Sequence, residues 1–317
     1  MTPSETIIGN DPALKALLSS IIKKIAPTDV TVLITGETGT GKELVANAIL
    51  KNSRRKNKPF IPLNCAALSE SLIESELFGY CKGAFTGAIA DKGGILAAAH
   101  SGTLFLDEIN SLSLSVQMKL LRFIETGEYL PIGAVKTYKA DVRIIAASNA
   151  NLEQQVKLGA FRKDLYFRIN IVPLMLPPLR ERPQDIELLI NHFMGYFAEK
   201  YAVTPPSISA ETLAKLHCYF WPGNIRELRN LCENLAIFPL SRPVEITDLP
   251  RGYLQPRKTE IEKLFELPEH GFNWPEQEFN LIRQAMVKTK GNYQQASLLL
   301  GMSRDALYYR VKKRGLL

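Results

Sequence analysis

Apolar residues are distributed along the chain in two regimes. In the first half, short runs rich in β-branched residues at 30–35, 60–63, 103–106, 142–147 and 171–174 alternate with stretches of helical spacing such as 43–51. Strands alternating with helices predict an α/β fold with a parallel sheet covered on both faces. Beyond Pro177 and Pro178 the β pattern stops, and 185–200, 209–218 and 224–236 repeat apolar positions at helical spacing, predicting a small helical subdomain. Residues 239–275 hold six prolines with mixed charge and weak periodicity, the composition of a linker, with one short helix predicted over 259–267. Three more amphipathic helices are predicted over 277–288, 292–300 and 303–314, the last two separated by a turn at Gly301 and Met302. The expected organisation is an α/β domain at 1–176, a helical subdomain at 177–249, a linker at 250–275 and an all-α C-terminal domain at 276–317.

Composition narrows the function classes. At 317 residues and 46% hydrophobic, the chain can bury the cores of two or three domains. Its longest apolar runs are only a few residues, and the first 25 residues carry no basic start, apolar stretch and cleavage site. Membrane-spanning and secreted classes fall away. Cys65, Cys81, Cys218 and Cys232 lack CxxC spacing, which argues against a zinc ribbon or a disulfide scaffold and for a reducing cytoplasm.

Charge is uneven. Residues 279–317 hold eight basic groups and one acid, so the whole excess of +7 lies in this C-terminal segment. A polyanion partner for one end of the chain follows. A helix, a glycine-containing turn and a second helix opened by an N-cap at Ser303 form a helix-turn-helix pattern. In such a unit Arg304 and Asp305 face base edges, with Tyr309 able to join them. The same helix carries Arg310, while Lys312, Lys313 and Arg314 suit phosphates.

Chemistry concentrates in the first half. The segment GETGTGKE, with Gly36, Glu37, Thr38, Gly39, Thr40, Gly41, Lys42 and Glu43, lies between the first predicted strand and the first predicted helix. Its glycines let backbone N–H groups wrap a phosphate at a helix N-terminus, with Lys42 reaching the β and γ phosphates. Glu43 stands where the general pattern has Ser or Thr for Mg²⁺, so the metal ligand must come from elsewhere. GTLFLDE supplies it: Asp107 suits magnesium, and Glu108 suits activation of a water that attacks the γ phosphate. Ser148 and Asn149 end another strand where polar groups can sense the terminal phosphate. Arg162 and Arg168 flank Lys163 and Asp164. Spacing does not decide whether these arginines are solvated helix charges or reach a neighbouring subunit's nucleotide. In GAFTGA, Gly83, Ala84, Phe85, Thr86, Gly87 and Ala88 describe either a flexible loop offering one aromatic anchor or a tight buried turn.

GETGTGKE, GAFTGA, GTLFLDE, FRKDLYFRIN, LPPLRER and WPGNIRELRN occur in this order between residues 36 and 230. Together they resemble the AAA+ domain of sigma-54-dependent transcriptional activators, the bacterial enhancer-binding proteins. The likeness runs from about residue 7 to 249, and the C-terminal segment resembles the Fis-like DNA-binding domain of the same proteins. The resemblance implies an ATPase with Mg²⁺, acting as a hexamer on sigma-54 RNA polymerase holoenzyme and binding double-stranded DNA upstream of the promoter. It makes Lys42 the phosphate lysine, Asp107 the magnesium acid and Glu108 the catalytic base, and it accounts for Glu43. It further implies that Asn64 restrains Glu108, Arg162 and Arg168 act in trans, Arg226 senses nucleotide in cis, and Ile7, Ile8 and Gly9 pack the adenine. Residues 83–88 become the sigma-54 contact. Because the AAA+ region starts almost at Met1, no receiver or sensor domain is expected. Control would then fall to a separate inhibitory protein or to regulated expression, as in short members such as the phage-shock activator. Two rivals are a DNA-binding regulator with a vestigial nucleotide site and a different AAA+ machine. Intact Lys42, Asp107 and Glu108 argue against the first, and GAFTGA with a helix-turn-helix end argues against the second.

Overall fold

The computed structural model describes residues 7–237, 242–254, 273–289 and 291–313. The helix expected over 259–267 lies outside the described residues, as does Arg314. The chain divides into two compact units, Met1–Pro256 and Arg257–Leu317.

The first unit is built on five strands: β1 Val32–Thr35, β2 Phe60–Asn64, β3 Thr103–Asp107, β4 Arg143–Ser148 and β5 Val172–Met175. All pair in parallel, in the order β2-β3-β4-β1-β5. Each strand begins or ends within two residues of its apolar run. Side chains alternate between faces as the period of two requires. Leu104, Leu106, Ile144 and Ala146 join one buried cluster, whereas Phe105, Ile145 and Ala147 join the other. Helices α1 Pro12–Ser20 and α2 Lys42–Lys51 cover the second face, and α3 Glu70–Phe78, α4 Leu114–Thr126 and α5 Lys163–Ile169 cover the first. The register pairs Thr35 with Ser148 and Asn64 with Asp107, so the carboxyl ends of four strands form one edge. In open α/β sheets that edge is where ligands bind.

Helices α6 Gln184–Tyr201, α7 Ala210–Cys218 and α8 Asn224–Ile237 make the helical subdomain. Its core centres on the fully buried Trp221, whose indole N–H donates to the Leu216 carbonyl at 3.0 Å. Tyr253, in a stretch read as linker from its prolines, packs its ring 5.0 Å from Tyr219 and 5.8 Å from Trp221. Its helix, Arg251–Leu254, is a single turn, too short to leave a periodic signal.

The second unit holds α9 Trp274–Lys288, α10 Tyr293–Leu299 and α11 Arg304–Lys313 around Ile282, Ala285, Ala296, Leu307 and Val311. Asn292 caps α10 by accepting from Gln294 and Gln295 N–H, and Ser303 Oγ accepts from Ala306 N–H at 3.2 Å to open α11. Gly301 turns the chain between them at φ +63°. Among the described residues no helix is long and apolar enough to cross a membrane.

Candidate functional site

A cleft of about 520 Å³ lies where the phosphate-loop segment meets the helical subdomain, lined by residues including Lys42, Asp107, Glu108, Tyr196, Arg226 and Arg229. The loop leaves β1 at Gly36 and enters α2 at Lys42. Gly39 has φ +81°, and a Cβ there would stand 2.3 Å from the Gly223 carbonyl oxygen, so any larger residue must push the subdomain away. The contact is reinforced by Ile225 N–H donating to the Gly39 carbonyl at 3.0 Å.

Lys42 is buried, and its ammonium donates to the carbonyls of Gly36 at 2.9 Å and Glu37 at 3.2 Å. Burial lowers its pKa from the ordinary 10.5, against the opposing pull of Glu108 and Asp107. Asp107 ends β3, and its Oδ1 accepts from the Glu108 N–H at 3.1 Å. Glu108 turns out of the strand at φ +54°, directing its side chain into the cleft. Burial raises its pKa from 4.5, only partly offset by Lys42 and a backbone hydrogen bond from Asn149. Its Oε2 is buried without a hydrogen-bond partner. An orphaned carboxylate oxygen beside a buried ammonium fits a site that receives a polar group between them. Asp107 also suits a magnesium ion, which takes one or two carboxylates and fills its remaining positions with water and phosphate oxygens. Among the described residues no group of three or more His, Cys, Asp or Glu is gathered to hold a metal by itself.

Around this centre the structure brings some expected residues together and leaves others apart. Asn149 Nδ2 donates to Thr38 Oγ1 at 3.2 Å, fastening the end of β4 to the loop. Ser148 is fully buried, with its single hydroxyl proton placed between two acceptors, Asn110 Oδ1 and the Ala150 carbonyl, each 2.9 Å away, which holds it in the fold. Asn64 stands beside Asp107 in register, but its Oδ1 accepts from Ala66 N–H at 2.9 Å. Arg226 lines the cleft and acts electrostatically on Glu108 and Lys42. Ile7 and Ile8 line an adjoining apolar hollow with Leu44, Val45, Phe193 and Ile225. Gly9 lies between Leu14 and Asp185. Arg162 and Arg168 do not line the cleft of their own chain. Arg162 pairs with the Asp164 carboxylate at 2.6 Å, and Arg168 donates to the Ile124 carbonyl at 3.3 Å.

Residues that sequence reasoning missed as functional hold the two lobes together. Arg180 forks onto the Glu37 carboxylate at 2.8 and 2.6 Å and holds its pKa below the usual value. Asn224 Nδ2 donates to the Glu37 carboxylate and the Thr38 carbonyl, while its Oδ1 accepts from Leu179 N–H. Both residues sit inside LPPLRER and WPGNIRELRN, so the signal was the motif itself. Their partners could not be read from it.

GAFTGA forms an exposed loop, not a buried turn. Phe85 is 46% exposed and lies edge-on to Tyr80 at 4.9 Å, beside Ile89 at 83% exposed. A second loop braces it: Cys81 N–H donates to the Ile132 carbonyl, and a Cβ on Gly133 would stand 2.8 Å from the Ala84 Cβ. In the second unit Arg304, Asp305, Tyr309 and Lys312 are exposed on α11. Arg310 is tied to Glu278 of α9 at 2.8 Å, which makes it part of that unit's packing.

Comparison with known proteins agrees with this arrangement. Residues 7–175 match the Sigma-54 interaction domain, 180–264 the AAA+ ATPase lid domain, and 274–313 the Bacterial regulatory protein, Fis family. The chain is 44% identical to a putative uric acid sigma-54-dependent transcriptional regulator, UacR, of Escherichia coli, over 99% of its own length and 54% of the relative's. It is 42% identical to the sigma54-dependent transcriptional activator SfnR of Pseudomonas putida, covering 93% of this chain and 84% of that one. The chain thus spans about half the length of UacR and most of SfnR. Among solved structures, NtrX from Brucella abortus in complex with ADP superposes with a TM-score of 0.73 at 33% identity, over 97% of this chain and 68% of NtrX. A Thermotoga maritima RuvB mutant, 14% identical with a TM-score of 0.52, shares the fold alone. With a Sigma-54 interaction domain over more than half of its length, an AAA+ lid and a Fis-type helix-turn-helix unit, the chain belongs to the family of AAA+ sigma-54-dependent transcriptional regulators.

Proposed function

We propose that the chain is an ATP-dependent activator of sigma-54 RNA polymerase. It hydrolyses ATP in an oligomeric ring, the hexamer of its family, and remodels the closed promoter complex through Phe85 and its loop. The observation that carries this reading is the cleft, where Lys42, Asp107, Glu108 and Arg226 converge on one volume. Lys42 binds the β and γ phosphates, and the desolvated Glu108 takes a proton from the attacking water at its carboxylate. Asp107 would hold Mg²⁺, which when bound neutralises developing phosphate charge. Because Arg162 and Arg168 lie off their own cleft, they act on a neighbouring subunit's nucleotide, and a single chain is catalytically incomplete. Helix α3 links the two ends of the device, since it starts six residues after Asn64 and runs to Phe78, beside the base of the Phe85 loop. A shift at the nucleotide edge is thereby passed to the fingertip. The helix-turn-helix unit would hold the ring on upstream double-stranded DNA, with Arg304 and Asp305 reading bases and Lys312 and Lys313 meeting phosphates.

Promoter melting by sigma-54 holoenzyme tests the whole reading. Melted template is expected with ATP and the unaltered chain, and not with a non-hydrolysable analogue or with Lys42→Ala. Equal melting in either control would overturn it.

A further inference from the structure

The short strand of chain before α1 is gripped from the lid by a buried ion pair. Asp185, at the second position of α6, is fully buried, and its Oδ1 accepts from Asn10 N–H at 2.5 Å and Asp11 N–H at 3.0 Å. Its Oδ2 has no hydrogen-bond partner and lies 3.9 Å from Arg182 Nη1. Arg182 is 2% exposed, with its Nε unpartnered, and its Nη2 donates to the Thr40 carbonyl of the phosphate loop at 3.2 Å. Gly9 is required here by proximity: a Cβ would stand 2.8 Å from Asp185 Oδ2 and 2.7 Å from Leu14 Cδ2. Two residues earlier the same segment crosses between cores, with Ile7 packed on the sheet-side cluster and Ile8 on the lid cluster. Ile7, Ile8 and Arg182 all line the apolar hollow beside the cleft.

Three parts therefore meet at one pair: the strap at 7–11, the lid helix and the phosphate loop. A buried pair with two unsatisfied polar atoms is a poor device for stability alone, because its desolvation is incompletely offset. Building on the nucleotide-binding reading, we propose that Asp185 and Arg182 are positioning residues that set the strap against the phosphate loop. They confer the base-dependent part of nucleotide affinity without touching the phosphates. Asp185 fixes the strap by consuming two of its N–H groups, and Arg182 transmits that position to Thr40.

The test compares binding of ATP with binding of inorganic tripolyphosphate, which carries the phosphates and no base. The unaltered chain should prefer ATP. Asp185→Ala should lose at least tenfold in ATP affinity with tripolyphosphate affinity changed less than twofold, and Asp185→Asn, which keeps the acceptor, should recover part of the loss. Gly9→Ala reaches the same strap from outside the pair, so it gives the same signature if Asp185→Ala does not fold. Equal weakening of both ligands, or none in Gly9→Ala, would overturn the proposal. Failure of the unaltered chain to bind ATP would instead overturn the nucleotide reading beneath it.

Discussion

Two glycine-bearing loops sit in the same domain and use the residue for opposite ends. In the phosphate loop Gly39 has φ +81° and no room for a Cβ, since the Gly223 carbonyl is 2.3 Å away. In the GAFTGA loop Gly83 and Gly87 have φ +81° and +102°, and a Cβ would meet nothing within 4 Å. Positive φ explains glycine in both places. Only the first is also a packing requirement. One loop is locked by the backbone packed against it, whereas the other is held at its base with open space around its glycines.

The comparison can be broken most directly at Gly39. Gly39→Ala should cut ATP turnover at least a hundredfold and lower Tm by several degrees, because its Cβ meets backbone that cannot yield without parting lid from loop. An ATPase assay beside a thermal melt decides it, and a variant with normal turnover would mean the lobes are not packed as described. Arg162→Ala and Arg168→Ala come next: both should abolish hydrolysis in the assembled protein while nucleotide binding stays intact, measured by turnover against equilibrium binding. Normal turnover in both would return these arginines to ordinary surface charges.

Glu108 gives an effect of intermediate size. Since burial raises its pKa above 4.5, the acid limb of the ATPase pH profile should fall above the usual carboxylate range. The folded state holds this proton more tightly than the unfolded chain, so ionisation costs stability as pH rises through the folded value. Glu108→Gln should therefore abolish hydrolysis yet melt higher at neutral pH, with the gap closing as pH falls. A melt that is lower at neutral pH would show that the carboxylate is satisfied.

On the open side, Gly87→Ala should cost about 1–2 kcal/mol through strain alone and show mainly as weaker sigma-54 binding. A Tm fall as large as that of Gly39→Ala would erase the contrast. The smallest effect belongs to the half-buried clasp between Arg180 and Glu37, where Arg180→Ala should cost about 1 kcal/mol. The Glu37 pKa is depressed, so its contribution is present above the unfolded carboxylate value and is lost as pH falls through the folded one. Thermal melts across that range check it.

Much of this architecture is legible in the amino-acid sequence. Five strands appeared as apolar β-branched runs because a parallel sheet buries both faces. Lys42, Asp107 and Glu108 stood out because a lysine after a glycine-rich turn into a helix and paired acids after an apolar strand are local patterns. The three C-terminal helices showed their amphipathic spacing and their charge, and the last its N-cap at Ser303. What stayed hidden were interactions between distant segments: Arg180 with Glu37, 143 positions apart, Asn224 with Glu37, 187 apart, and Asp185 with Asn10, 175 apart. Arg310 counted among the basic residues of the DNA-binding helix, and its pairing with Glu278 of α9 could not be read from spacing.

The layers, the glycine-rich loop between β1 and α2 and the acids at the sheet edge were written into the amino-acid order, because period, turn chemistry and residue type are local demands. That the lid clamps Glu37 and grips the strap, that Ser148 is spent inside the fold and that Phe85 stands exposed came from packing. Those outcomes depend on which surfaces meet once both cores have formed, and contact between surfaces has no spacing along the chain.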